Sequence, residues 1–345
     1  MFYFNDFPRF LEEISGYQIV QDSCLHGGAS IASLIMEGNG MFPQFETNTS
    51  VIGTYHHNQT IYDYGACTVP QLLLGWDDRL QDPGYAKPNN KNNTSMKNPC
   101  RQDGNYLEYA IQKYRKYAPT KDHHLLHYTP PKWDFALIND NTRNPARAST
   151  RALALETLER FHVDWFLKTG VTPVFLWTHA YTVNSTERRN MTGMDDVANF
   201  TSLTYAGYKQ YVKLLELYLP EAQKPRIAPV GLAFLTVYEE NFELWKTLFH
   251  IDHIHASPSG TFLQGCVIYY TLMGRMPDKH IVLRHDMASL WHRARMMQHA
   301  WEPENPFPDK ETATYLYRIA ERIMVEGYVP KSFIDYQNGE VAYEG

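Results

Sequence analysis

From Trp133 onward, short apolar runs alternate with longer stretches at helical spacing. Asp134-Phe135-Ala136-Leu137-Ile138 and Val174-Phe175-Leu176-Trp177 read as buried strands, and Ile227 to Phe234 is a further apolar run with Pro229 near its start. Between the first two, Ala148 to Thr169 sets Leu155, Leu158, Phe161, His162 and Trp165 on one helical face and stops at Gly170. Tyr205 to Leu219 predicts the next helix, closed by Pro220, and Ser257-Pro258 opens another through about Met273, with proline at its favoured first helical position. Strands separated by helices of this length predict a mostly parallel sheet covered on both faces, a three-layer α/β/α architecture.

Upstream the texture changes. Residues 5 to 15 read as an amphipathic helix: Asn5 caps it, Phe7, Phe10, Leu11 and Ile14 share a face, and Gly16 ends it. Tyr17 to Val20 is a short strand candidate, and the turn Leu25-His26-Gly27-Gly28-Ala29-Ser30 leads into an apolar segment through Ile35. From about 40 to 132 the chain is richer in Asn, Pro, Tyr and Gly, which predicts an insertion or surface excursion. The expected organisation is one α/β domain over 1–275, interrupted at 40–132, followed by a helical extension over 276–345 with its clearest helix at Thr314 to Glu326.

Composition narrows the function classes. At 345 residues and 43% hydrophobic content the chain can bury a full core. A net charge of −6 with scattered Lys and Arg provides no basic stripe to neutralise phosphates, so nucleic acid is not an expected partner. No run approaches the roughly 18 apolar residues that predict a membrane span, and no signal peptide precedes the first helix. Against that stand seven Asn-X-Ser/Thr acceptors, at Asn48, Asn58, Asn92, Asn93, Asn184, Asn190 and Asn199. They imply passage through the secretory pathway, with the acceptors in surface loops. Cys67 and Cys100 bracket the polar excursion and a disulfide between them is plausible; Cys24 and Cys266 lie in apolar stretches and are expected to be buried thiols.

The richest chemistry lies in His250-Ile251-Asp252-His253-Ile254-His255-Ala256-Ser257-Pro258. In such a loop Asp252 can orient one nitrogen of His255 while the other faces a nucleophile, the requirement for a general base in the correct tautomer. The competing readings are two satisfied loop residues, or a metal site drawing on His250, Asp252, His253 and His255, with His123, His124 and His127 as a second cluster. Gly27-Gly28 offers a backbone N–H to a developing oxyanion, and Asn139, Asn141 or Asn144 offers a side-chain amide; ordinary turns and caps explain the same residues. Ser30 and Ser33 follow Gly28 but lack the sharp elbow that exposes a nucleophile.

A Gly-Gly turn after an early strand, an Asn-bearing strand end near 139, and Asp252-x-x-His255 before Ser-Pro-Ser-Gly, in that order, resemble the SGNH/GDSL hydrolases over most of residues 5 to 274. The resemblance implies a flavodoxin-like α/β fold and a serine nucleophile after the first strand. It makes His255 the general base, Asp252 its orienter, Gly28 or Gly27 the oxyanion donor, and Asn139 or Asn141 the amide donor. It implies no cofactor and an acyl ester as substrate, an acetylated glycan being one choice. The chain departs from the family where Asn139-Asp140-Asn141-Thr142 replaces the usual Gly-x-Asn-Asp. It departs again at Met1, which is followed almost at once by a helix where a strand ending in the nucleophile is expected. The expectation is therefore an N-terminally truncated, inactive form that lacks the first central strand. A noncatalytic carbohydrate-binding protein on the same scaffold, stacking sugars on Trp76, Trp177 and Tyr181, is the alternative.

Overall fold

A computed structural model of the protein describes residues 11, 14–17, 19–26, 28–38, 54–56, 59–61, 68–75, 132–182, 194–284 and 308–338. Its centre is a small parallel sheet flanked by helices, the α/β class that the alternation predicts. The strands are β4 (Phe135–Ile138), β5 (Thr172–Leu176) and β6 (Arg226–Ala228), in the order β4-β5-β6. Phe135 pairs with Thr172 and Ile138 with Phe175, while Val174 pairs with Arg226 and Leu176 with Ala228.

β5 is buried at all five positions, as expected of a parallel strand with neighbours on both sides. Its second residue is Pro173, which has no N–H to give to a ladder. Thr172 donates to Asp134 on the β4 side and Trp177 to Ala228 on the β6 side, so alternation turns position 173 toward β6. There it lies before Arg226, where that strand's pairing begins, and no ladder bond is lost.

The helix expected over 148–169 is present with a wide turn inside it: α3 (Ala148–Thr157), a π segment (Leu158–His162) and α4 (Val163–Thr169), ended by left-handed Gly170. The extra residue per turn keeps His162 inward, where it packs beside Trp165 and Phe166. α5 (Val197–Glu216) begins earlier than the apolar spacing suggests, because Asp196 caps it through a 2.7 Å bond from the Asn199 N–H. The apolar run 227–234 is not one element: Pro229 separates β6 from α6 (Val230–Glu240). α7 (Phe242–Thr247) and α8 (Pro258–Met273) follow, the latter matching its predicted bounds.

Two parts of the chain differ from their sequence pattern. The strand candidate Tyr17 to Val20 is realised as β1 (Val20–Gln21), which pairs antiparallel with β2 (Thr54–His56) in a separate sheet completed by β3 (Gln59–Ile61). Within the 40–132 excursion, α2 (Val69–Leu74) is capped by Thr68 and buries Val69, Gln71 and Leu73, while Trp133 donates its indole N–H to the Leu72 carbonyl. Downstream, α9 (Lys279–Val282) is followed by α10 (Lys310–Met324) and α11 (Lys331–Asn338). α10 packs on α8 through a face that buries Leu316, Ile319 and Ala320, and Phe333 of α11 meets Trp177 and Tyr205. The described parts of both segments thus share the main core. No helix among the described residues is long and apolar enough to cross a membrane.

Candidate active site

The loop after α7 is closed like a hairpin. Phe249 bridges Ala256, the His250 N–H bonds the His255 carbonyl at 2.8 Å, and the Ser257 N–H bonds the Leu248 carbonyl at 2.8 Å. Ser257 then caps α8 through the Gly260 N–H and donates its hydroxyl to Thr247. A Cβ at Gly260 would stand 2.2 Å from the Leu248 carbonyl oxygen, so only glycine lets the helix seat this close under the loop. At the loop's tip His253 holds a left-handed φ of 62°.

This geometry brings Asp252 and His255 together. Asp252 Oδ1 accepts the N–H groups of Ile254 and His255, both at 2.9 Å, and Oδ2 stands 2.5 Å from His255 Nδ1. His250 lies behind, its Nδ1 3.3 Å from the Asp252 backbone nitrogen and 3.4 Å from Oδ2. Partial burial opposes charge on Asp252, but the His250 and His255 side chains and the backbone donors outweigh it, and the carboxyl is held well below the usual carboxylate range. With Nδ1–H given to this carboxylate, the lone pair of His255 is on Nε2, the form a general base needs. Both imidazoles turn Nδ1 toward the same carboxylate oxygen, Oδ2, and His255, at 2.5 Å against 3.4 Å, is the nearer.

His255 opens on a cavity of about 960 Å³ that runs along the whole of β4, from Lys132 to Thr142, and reaches Thr178 and His179 just past the carboxyl end of β5. The His255 end is at the rim where α/β sheets place ligands. The same cavity is lined by Gly28, Asn139, Asn141, Thr142, Thr178 and His179. Gly28 has φ +71°, in a turn closed by the Ala29 N–H on the His26 carbonyl. Asn139 is exposed, and Asn141 reaches the Gly28 carbonyl with its amide at 3.4 Å. Thr178 donates to Thr142 at 3.2 Å, joining the two strand ends.

Asp140 holds this wall in place. It is 1% exposed, and Oδ1 accepts the Ile31 and Asn141 N–H groups and the Asn144 amide while Oδ2 accepts the Tyr211 hydroxyl at 2.9 Å. Burial raises its pKa, and those donors offset part of the rise. One carboxyl therefore joins the start of α1 (Ile31–Glu37), the loop after β4, and α5.

Of the predicted site residues, His255, Gly28 and Asn139 border one cavity, with Asp252 backing His255. Gly27 lies outside the described residues, as do Trp76, Cys67, Cys100, the three histidines at 123, 124 and 127, and every glycan acceptor but Asn199. Asn144 serves Asp140 instead of the cavity. Ser30 and Ser33 form a reciprocal cap on α1, Ser33 N–H to Ser30 Oγ at 2.9 Å and Ser30 N–H to Ser33 Oγ at 2.8 Å. Of the aromatics considered for sugar stacking, Trp177 is 1% exposed with its indole bonded to Thr204, away from the cavity, whereas Tyr181, 6% exposed and edge-on to Phe200, borders it. Asn199 sits in the first turn of α5 rather than in a surface loop, because its neighbours Phe200 and Thr201 are core residues. Cys24 and Cys266 are buried, and burial pushes the Cys266 thiol up.

Sequence reasoning gave Asp140 no role and placed Thr178-His179 only as a pair at a strand's carboxyl end, where functional residues gather. Asp140 was visible only as part of a polar cluster at a strand end.

No family model matches the chain, and no curated protein matches it. Among solved structures it is similar to a DUF4886 family protein from Bacteroides uniformis, at 14% identity and a TM-score of 0.39. The alignment covers 58% of this chain and spans 66% of that protein's length, too distant a likeness to assign family or activity.

Proposed function

We propose that the cavity is the active site of a serine ester hydrolase of SGNH type, in which Asp252 and His255 activate a hydroxyl for attack on an acyl ester. The observation that carries the reading is the 2.5 Å Asp252–His255 contact opening on a cavity shared with Gly28 and Asn139. His255 Nε2 takes the hydroxyl proton as the oxygen attacks the acyl carbon, and Asp252 stabilises the imidazolium that forms. The Gly28 N–H and the Asn139 or Asn141 amide donate to the oxyanion. His255 then returns the proton to the leaving alcohol, and water releases the acyl group by the same route reversed. Ser30, Ser33 and Ser257 are committed to helix caps and are not the nucleophile. An O-acetylated carbohydrate suits the secretory setting that the Asn-X-Ser/Thr acceptors imply.

A fluorophosphonate probe tests this on the protein expressed from its own gene. Labelling of one serine, located by peptide mapping and lost in His255→Ala, is the expected result. A protein that stays unlabelled but retains glycan binding contradicts the hydrolase and favours the noncatalytic scaffold.

A further inference from the structure

The segment that leaves β5 touches the dyad loop twice. The Thr182 N–H bonds the His253 carbonyl at 3.1 Å, and His179 Nε2 stands 2.9 Å from the Ile254 carbonyl oxygen. A carbonyl can only accept, so Nε2 carries the hydrogen and the other ring nitrogen must accept. It does: the Gln264 amide, on α8, lies 3.1 Å from His179 Nδ1. The ring is also held by contact, stacked on Phe234 at 4.3 Å and 12° and edge-on to Phe249 at 5.2 Å. His179 is 6% exposed, and burial lowers its pKa to about 4, so it is neutral at physiological pH.

We propose that His179 is a positioning residue: its Nε2–H on the Ile254 carbonyl sets the angle at which the loop presents His255 to the cavity, and Gln264 selects the tautomer that makes this bond. The inference rests on the reading of Asp252 and His255 as an acid–base pair. The Ile254 carbonyl shares its peptide with the His255 N–H, which is itself bonded to Asp252 Oδ1 at 2.9 Å. A tilt of that peptide therefore moves both dyad members. The backbone bond from Thr182 keeps the loop attached when the side chain at 179 is changed, so orientation can be lost without detachment.

The test is the His255 Nδ1–H resonance in protein with ¹⁵N-labelled histidine, identified by its disappearance in His255→Ala. His179→Phe keeps the stacking on Phe234 but removes both hydrogen bonds, and the signal is expected to vanish in a folded protein. His179→Gln keeps a donor at the same reach and is expected to retain it. Gln264→Leu, an apolar replacement in the same buried space, is expected to weaken it, and this variant decides if His179→Phe does not fold. In turnover, kcat falls by up to about a hundredfold in His179→Phe with KM unchanged. A folded His179→Phe or Gln264→Leu with the wild-type resonance overturns the inference. A wild-type protein that shows the resonance yet hydrolyses no ester overturns the proposed function instead, and leaves the positioning role standing.

Discussion

The two walls of the cavity are built to different standards. On the His255 side the backbone is clamped at every step: a bridge at Phe249 and Ala256, the His250–His255 and Thr182–His253 bonds, and α8 seated at Gly260. On the other side β4 is apolar throughout, Phe-Ala-Leu-Ile, yet all four residues are only half-buried because they face the cavity. β5, of similar composition, is buried at every position. Residue type alone does not set burial; what lies across the strand does. The clamped wall holds the Asp252–His255 pair, and the open wall holds the space with Gly28 and Asn139 at its border.

Matched truncations on the two strands sharpen this contrast most. Phe175→Ala on β5 is expected to cost about 4 kcal/mol, whereas Phe135→Ala on β4 costs no more than about 2, read by denaturant unfolding. Equal losses would mean that β4 is covered as fully as β5. Gly260→Ala, which drives a methyl into the Leu248 carbonyl, is expected to cost about 3 kcal/mol and to disturb His255. An alanine variant of wild-type stability would show that the clamp yields.

Acid should loosen the helical and clamped elements. His162 and His179 are both buried with pKa values lowered to about 4, against about 6.5 when unfolded. The unfolded chain therefore binds more protons below pH 6.5. Stability is full above that pH and falls by roughly 1.4 kcal/mol per pH unit for each histidine as pH drops from 6.5 toward 4. A stability curve flat from pH 6.5 to 4.5 would contradict the neutral, buried rings. The smallest effect is expected at His253: His253→Gly relieves a left-handed φ and should stabilise by up to about 1 kcal/mol in thermal unfolding. Destabilisation there would mean that the side chain holds the loop tip.

The elements that organise the site were legible where period and punctuation agreed. Ser257-Pro258 marked the start of α8, Gly170 the end of α4, and the apolar runs at 135–138 and 174–177 marked the strands, although β5 starts two residues earlier, at Thr172, and ends at Leu176. Asp252-x-x-His255 was legible because three residues of turn bring its two side chains together locally. What stayed hidden depends on distant partners. Asp140 gathers donors from Ile31, Asn144 and Tyr211, and His179 matters through Gln264 and Ile254, contacts that no local spacing encodes. β1 was legible as a strand but not its sheet, since its partner is a hairpin inside a stretch that reads as a loop.

The most direct measurement is ester hydrolysis by the protein expressed from its own gene, compared with its His255→Ala and Asp252→Asn variants on an acetyl ester. A fall in kcat/KM of at least about a hundredfold for His255→Ala, with a large loss for Asp252→Asn, is the predicted result. Hydrolysis that survives both substitutions, or is absent from the wild-type protein, would contradict a catalytic dyad at this cavity.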